Sequence, residues 1–259
     1  MTVRTAYEHG TPSWIDLSTT DVAGARVFYT SIFGWTYDVN PTDQGGEYII
    51  ARKGEHATAG LSRQRPEQAA SGVPPMWNTY VTVTDVAAAV ETATDAGGTV
   101  MMPPMQVMEA GAMAIVADPT GAVVCLWQPG GHIGAEVVNE HGALCWNEVM
   151  TDDVPAAAAF YSKLFGWGTQ EMDMGDQGTY TLFVLGEHGV AGGTGLSPAE
   201  GAPPHWSTVF AVDDCDATLA TTTAAGGTVM AGPFDTPVGR SGVCADPQGA
   251  VFQIIQLAN

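Results

Sequence analysis

The chain has 259 residues, 45% of them hydrophobic, and no apolar run reaches the roughly 18 residues needed to span a bilayer. That composition excludes extensive disorder. A formal charge of −20, from 8 Lys and Arg against 28 Asp and Glu, argues against nucleic acid, anionic membranes and phosphorylated substrates, all of which require basic patches.

The opening Met1-Thr2-Val3-Arg4 lacks the apolar core of a secretion signal, so a cytoplasmic protein is expected. Cys125, Cys145, Cys215 and Cys244 show neither CxxC nor zinc-ribbon spacing and are expected as free thiols. After a polar lead-in, Ser13 to Ser18 reads as a strand and Thr20-Asp21 as the cap of a helix. That helix carries Ala25, Phe28, Tyr29, Ile32 and Phe33 on one side and stops at Gly34. Strands are predicted at 35–39, 48–51 and 58–61, with turns at Asp43-Gln44-Gly45-Gly46 and Lys53-Gly54-Glu55-His56. Residues 63–76 read as a connector. Beyond it come a strand at 77–83, an Ala-rich helix at 86–96 stopped by Gly97-Gly98, and strands at 100–101, 113–117 and 123–128, the last two joined by Asp118-Pro119-Thr120-Gly121. The Met-rich run from Met101 to Met108 suits a pliable wall or lid, and equally core filling.

The order then repeats. Phe28-Tyr29 to Phe33-Gly34-Trp35 returns as Phe160-Tyr161 to Phe165-Gly166-Trp167, and Trp14 returns as Trp146, all at an offset of 132 residues. Glu8-His9-Gly10 and Gly54-Glu55-His56 return as Glu140-His141-Gly142 and Gly186-Glu187-His188. Trp77, Gly97-Gly98 and Asp118-Pro119 return as Trp206, Gly226-Gly227 and Asp246-Pro247. The expected organisation is an α+β protein of four βαβββ modules in two domains: residues 1–129 (modules 11–62 and 77–129), a linker at 130–142, and residues 143–259 (modules 143–197 and 205–257).

The order of opening strand, Ala-x-x-Phe-Tyr helix, Phe-Gly-Trp exit, Gly-Gly helix stop and Asp-Pro-x-Gly hairpin resembles the vicinal oxygen chelate superfamily, which includes glyoxalase I, bleomycin-resistance proteins and extradiol dioxygenases. The resemblance implies curved mixed sheets around a concave cavity, with helices outside. It also implies metal ligands at four positions on the inner face. Here those positions hold Trp14 and Trp146, Ala59 and Ala191, Asn78 and Ser207, and Cys125 and Gln253. They assemble no ligand set, so no metal or other cofactor is expected. An off-pattern site from His188, His205 and Glu148 is the alternative. The repeated His9 and His141 read as turn residues or as ordering the domain contact.

Strand alternation puts Asp16 beside Trp14 and Glu148 beside Trp146 on the inner face. A carboxylate next to an indole in a cavity can anchor a ligand amine, act as a general acid or base, or simply be solvated at the rim. Asp16 and Glu148 are therefore the catalytic candidates. Trp14, Tyr48, Asn78, Tyr80 and Trp127 are the ligand-binding candidates of the first domain, and Trp146, Tyr180, Ser207 and Gln253 those of the second, with Val209 and Ile255 as apolar wall.

The expected function is metal-independent binding of a hydrophobic aromatic or polycyclic small molecule in an antibiotic self-resistance or tailoring context, with a tailoring enzyme of the same pathway as a candidate partner. The alternatives are a lyase, isomerase or oxygenase-type enzyme, and a partner protein with collapsed cavities.

Overall fold

The computed structural model describes residues 2–42, 45–174, 178–196 and 201–258; the turn expected at Asp43-Gln44 lies outside them. In chain order, the first half comprises β1 (Thr2–Val3), β2 (Pro12–Thr19), α1 (Val22–Phe33), β3 (Thr36–Pro41), β4 (Glu47–Lys53), β5 (His56–Arg63), α2 (Pro66–Ala70), β6 (Met76–Thr82), α3 (Val86–Asp95), β7 (Thr99–Val107), β8 (Gly111–Ala117) and β9 (Val123–Pro129). β10 (Val137–Val138) precedes the second half: β11 (Ala143–Thr151), α4 (Val154–Phe165), β12 (Gly168–Asp173), β13 (Thr179–Leu185), β14 (His188–Gly195), β15 (His205–Ala211), α5 (Cys215–Ala224), β16 (Thr228–Thr236), β17 (Gly239–Ala245) and β18 (Val251–Leu257).

Each half forms one eight-stranded mixed sheet, ordered β3-β4-β5-β2-β6-β9-β8-β7 and β12-β13-β14-β11-β15-β18-β17-β16. The two modules of each sheet meet at an antiparallel seam, β2 on β6 and β11 on β15. Helices start and stop as their sequences dictate. The Asp21 side chain accepts from Gly24 N–H, and Gly34 ends α1 in the left-handed region at φ 70°; Asp153 and Gly166 do the same for α4. Besides the two-residue strands β1 and β10, two elements escape the sequence pattern. The connector holds the short helix α2, and the Met-rich run is an edge strand, β7, with Met101 and Met108 exposed and Met102 and Met105 half-buried.

The helices lie on the face of each sheet opposite its concavity, yet they are not outside the molecule. α1 packs on α5 and α3 on α4, so the helix layers of the two halves face each other between the sheets. One core joins the first module to the fourth and another joins the second to the third. Phe28 and Phe160 are both buried there. Gly227 and Gly98 make room for them: a Cβ at Gly227 would stand 2.8 Å from Phe28, and one at Gly98 would stand 2.7 Å from Phe160.

Polar clamps cross the same layer. The buried Tyr161 hydroxyl donates to Asp118 Oδ2 at 2.8 Å while accepting from Trp206 Nε1 at 2.8 Å. Tyr29 repeats the arrangement with Asp246 (3.2 Å) and Trp77 (3.1 Å). Trp35 and Trp167 donate to the carbonyls of Gly142 and Gly10, each at 2.7 Å. The repeated Glu-His-Gly stretches thus order the contact mainly through their glycine carbonyls. His9 and His141 accept from the local backbone N–H of Thr84 and Asp213, although the His141 ring also meets Phe33 edge-on across the contact.

Candidate functional site

The centre of each concave face is set by strand alternation. On β2, Ile15 and Leu17 point into the helix-side core, which leaves Trp14 and Asp16 on the concave side. Asp16 is opposite Asn78 on β6 and Gly60 on β5. Tyr48 reaches over from β4: its hydroxyl accepts from Trp14 Nε1 at 2.9 Å and donates to Asp16 Oδ2 at 3.2 Å. Tyr80 donates to the same oxygen at 2.9 Å, and Asn78 Nδ2 donates to Oδ1 at 2.8 Å. Burial is the largest influence on Asp16 and raises its pKa, while the donors from Asn78, Tyr80 and Tyr48 oppose it.

The second half rebuilds the same line of contacts. Trp146 Nε1 donates to the Tyr180 hydroxyl at 2.8 Å, which donates to Glu148 Oε1 at 2.7 Å. Gln253 Nε2 donates to Glu148 Oε2 at 3.2 Å and to Ser207 Oγ at 3.0 Å. Burial raises the Glu148 pKa, opposed by Tyr180 and Gln253.

Sequence reasoning missed the residue that makes each line possible. A Cβ at Gly60 would stand 2.1 Å from the Tyr48 hydroxyl, and one at Gly192 would stand 1.8 Å from that of Tyr180. The signal was present, since Gly60 and Gly192 are related by the same 132-residue repeat. The structure also corrects the alignment of the second position. Ala59 and Ala191 belong to the helix-side cores, and Gly60 and Gly192 are their inward neighbours.

The four inward positions therefore carry Trp, Gly, Asn or Ser, and Cys or Gln. Such a set does not fit a divalent cation, which needs converging imidazole or carboxylate donors. The Cys125 thiol, pushed up by burial and by nearby Asp16, is held in its neutral form. Among the described residues no three His, Cys, Asp or Glu side chains come together. In particular His205 pairs in register with Met150 rather than with Glu148, and its Nδ1 lies 2.9 Å from the Pro203 carbonyl, while His188 is exposed.

The two faces differ in access. Trp14, Asp16, Cys125 and Trp127 are all buried, whereas Trp146, Glu148 and Gln253 are partly exposed. The cover over the first face is residues 130–138, expected only to link the domains. His132 meets Trp14 edge-on at 4.5 Å and Trp127 at 5.9 Å, and its carbonyl accepts from Trp127 Nε1 at 2.9 Å. Beside Trp146 lies a cleft of about 570 Å³, walled by Cys145, His188 and Gly189 on one side and Arg4, Tyr7 and Glu8 on the other.

This architecture agrees with the comparison to known families: the model described as Glyoxalase/Bleomycin resistance protein/Dioxygenase superfamily matches residues 11–126 and 141–254. The chain belongs to that superfamily. It is 46% identical over 260 residues to CFP32 of Mycobacterium tuberculosis, provisionally named a glyoxylase, with 100% of this chain and 99% of that one covered. It is 36% identical over 264 residues to the anthracycline biosynthesis protein DnrV of Streptomyces peucetius, covering 98% and 95%. The Mn(II)-bound glyoxalase from Novosphingobium aromaticivorans shares the fold, with a TM-score of 0.66 over 96% of this chain and 82% of that one at 13% identity. Among the described residues no helix is long and apolar enough to cross a membrane.

Proposed function

We propose that this protein binds a hydrophobic aromatic or polycyclic small molecule without a metal ion, in a natural-product pathway, exchanging it with a tailoring enzyme of that pathway. The observation that carries the reading is the line Trp146–Tyr180–Glu148 on a partly open concave face whose inward positions lack metal donors. An indole supplies a flat apolar contact, and a hydrogen-bonded carboxylate orients an amine or hydroxyl of the ligand. The 36% identity to a protein named for anthracycline biosynthesis supports an aromatic polyketide as the ligand class.

The test is elemental analysis of the purified protein beside a thermal-shift titration with doxorubicin, an amine-bearing tetracyclic anthracycline. A ligand at 100 times its dissociation constant adds about 2.7 kcal/mol of stability, which the titration resolves. The expected result is less than stoichiometric metal and a shift lost on Trp146→Ala. A retained stoichiometric transition metal, or no shift, would overturn the reading.

A second reading is favoured by the raised pKa of the partly exposed Glu148: a carboxyl poised to take or give a proton at an enolisable carbonyl. Under it, Glu148→Gln removes turnover of a carbonyl substrate and leaves its binding intact.

A further inference from the structure

The opening modules of the two halves match in sequence at an offset of 132 residues, so the β11 and β14 wall of the second-half cleft has its counterpart on β2 and β5 of the first. Cys145, Trp146, His188 and Gly189 answer to Ser13, Trp14, His56 and Ala57. In the first half that space is filled by the chain itself. Gly134 lies so close to Ser13 that a Cβ there would stand 2.4 Å from its carbonyl oxygen, and Ala135 N–H donates to that oxygen at 2.7 Å. Glu136 N–H donates to the Ala57 carbonyl at 2.8 Å, and its carboxylate accepts from Ala57 N–H at 2.7 Å.

His132 completes the filling. Its ring is held edge-on against Trp14 and beside Trp127, and its Nε2 is buried with no hydrogen-bond partner. Burial lowers its pKa, which keeps the ring neutral. A neutral ring gripped by indoles rather than by polar groups is how an aromatic guest sits in such a pocket. Trp146, by contrast, has no ring packed on it among the described residues. Behind it Tyr80 and Trp127 are replaced by the smaller Val209 and Ile255. The cleft volume of about 570 Å³ falls in the range of drug-sized ligand pockets.

We propose that only the second half takes the ligand, in the cleft beside Trp146, and that residues 132–136 occupy the equivalent place in the first half, with His132 standing where an aromatic ring of the ligand stands in the second. This rests on the binding reading above through Trp146, the one residue that the cleft shares with the Trp146–Tyr180–Glu148 line, and adds the site, the stoichiometry and the ring class. The first half is then a closed, self-filled copy that serves as the platform for the second.

The experiment uses the full chain and two readouts. Fluorescence titration with doxorubicin is expected to give one equivalent bound, at least tenfold weaker on Trp146→Ala, and doxorubicin is expected to protect Cys145, which lines the cleft, from iodoacetamide. His132→Ala is expected to add a second equivalent. Two equivalents in the unmodified protein, or one that survives Trp146→Ala with Cys145 unprotected, would overturn this proposal and leave small-molecule binding standing. No binding at all would overturn both. The closure is also read without any ligand: peptide mass spectrometry after alkylation should find Cys145 modified and a Ser13→Cys thiol untouched, and equal modification of the two would refute it.

Discussion

Removing one oxygen atom, in Tyr180→Phe, tests whether the Trp–Tyr–carboxylate line governs the chemistry of the open face. The Tyr180 hydroxyl holds Glu148 Oε1 at 2.7 Å and takes the Trp146 indole N–H at 2.8 Å. Its bond to Glu148 is made to a charged group in the ionised state, a class of bond that contributes about 1.5–3 kcal/mol. Losing it leaves the Glu148 carboxylate with Gln253 as its remaining side-chain donor, while the burial that already raises its pKa is unchanged. The protonated form is then favoured further, by roughly tenfold or more in proton affinity. The carbonyl-stretch band of the protonated carboxyl, followed by infrared difference spectroscopy against Glu148→Gln, should persist to higher pH in Tyr180→Phe than in the unmodified protein. Stability should follow. A carboxyl whose folded pKa lies above its unfolded value of 4.5 contributes nothing below that value, and it costs stability increasingly as pH rises to the folded pKa. The variant should therefore lose additional stability on the alkaline side of pH 4.5, beyond the pH-independent loss from stranding the Trp146 N–H. A Glu148 titration that is unmoved or displaced downward would refute the coupling.

Two further outcomes follow from the same structure. Tyr161→Phe should cost about 2–4 kcal/mol in urea unfolding, because it strands a buried indole N–H and removes one donor from a buried carboxylate; Tyr29→Phe, whose contacts are longer, should cost less, and a loss below 0.5 kcal/mol in Tyr161→Phe would dismiss the clamp. Asp16→Asn should gain stability relative to the unmodified protein as pH rises above 3.8, since burial raises the Asp16 pKa and its ionisation in the fold is costly; a relative stability that falls with rising pH in denaturant titrations would contradict the assignment.

What the sequence determined by itself was everything that depends on local period and on repetition. Phe-Tyr-x-x-x-Phe-Gly-Trp recurs at helical spacing before a left-handed glycine, so the helices α1 and α4 and their exits were legible, and the 132-residue offset exposed the duplication. Strand alternation was enough to place Trp14 with Asp16 and Trp146 with Glu148 on the concave side, and the candidates around them, including Tyr48, Asn78, Tyr80, Tyr180, Ser207 and Gln253, do meet there. Only the tertiary structure decided which half is open. Residues 130–138 open on the Gly-Gly of a linker and carry no sustained period, and nothing local distinguishes a linker that crosses solvent from one that folds back over a cavity. Their burial comes from contacts with β2 and β5, far away in sequence, and with the adjoining β9. The inward placement of the helix layers has the same cause: an amphipathic helix face specifies that it must be covered, and the sheet and helices of the other half, distant along the chain, are what cover it.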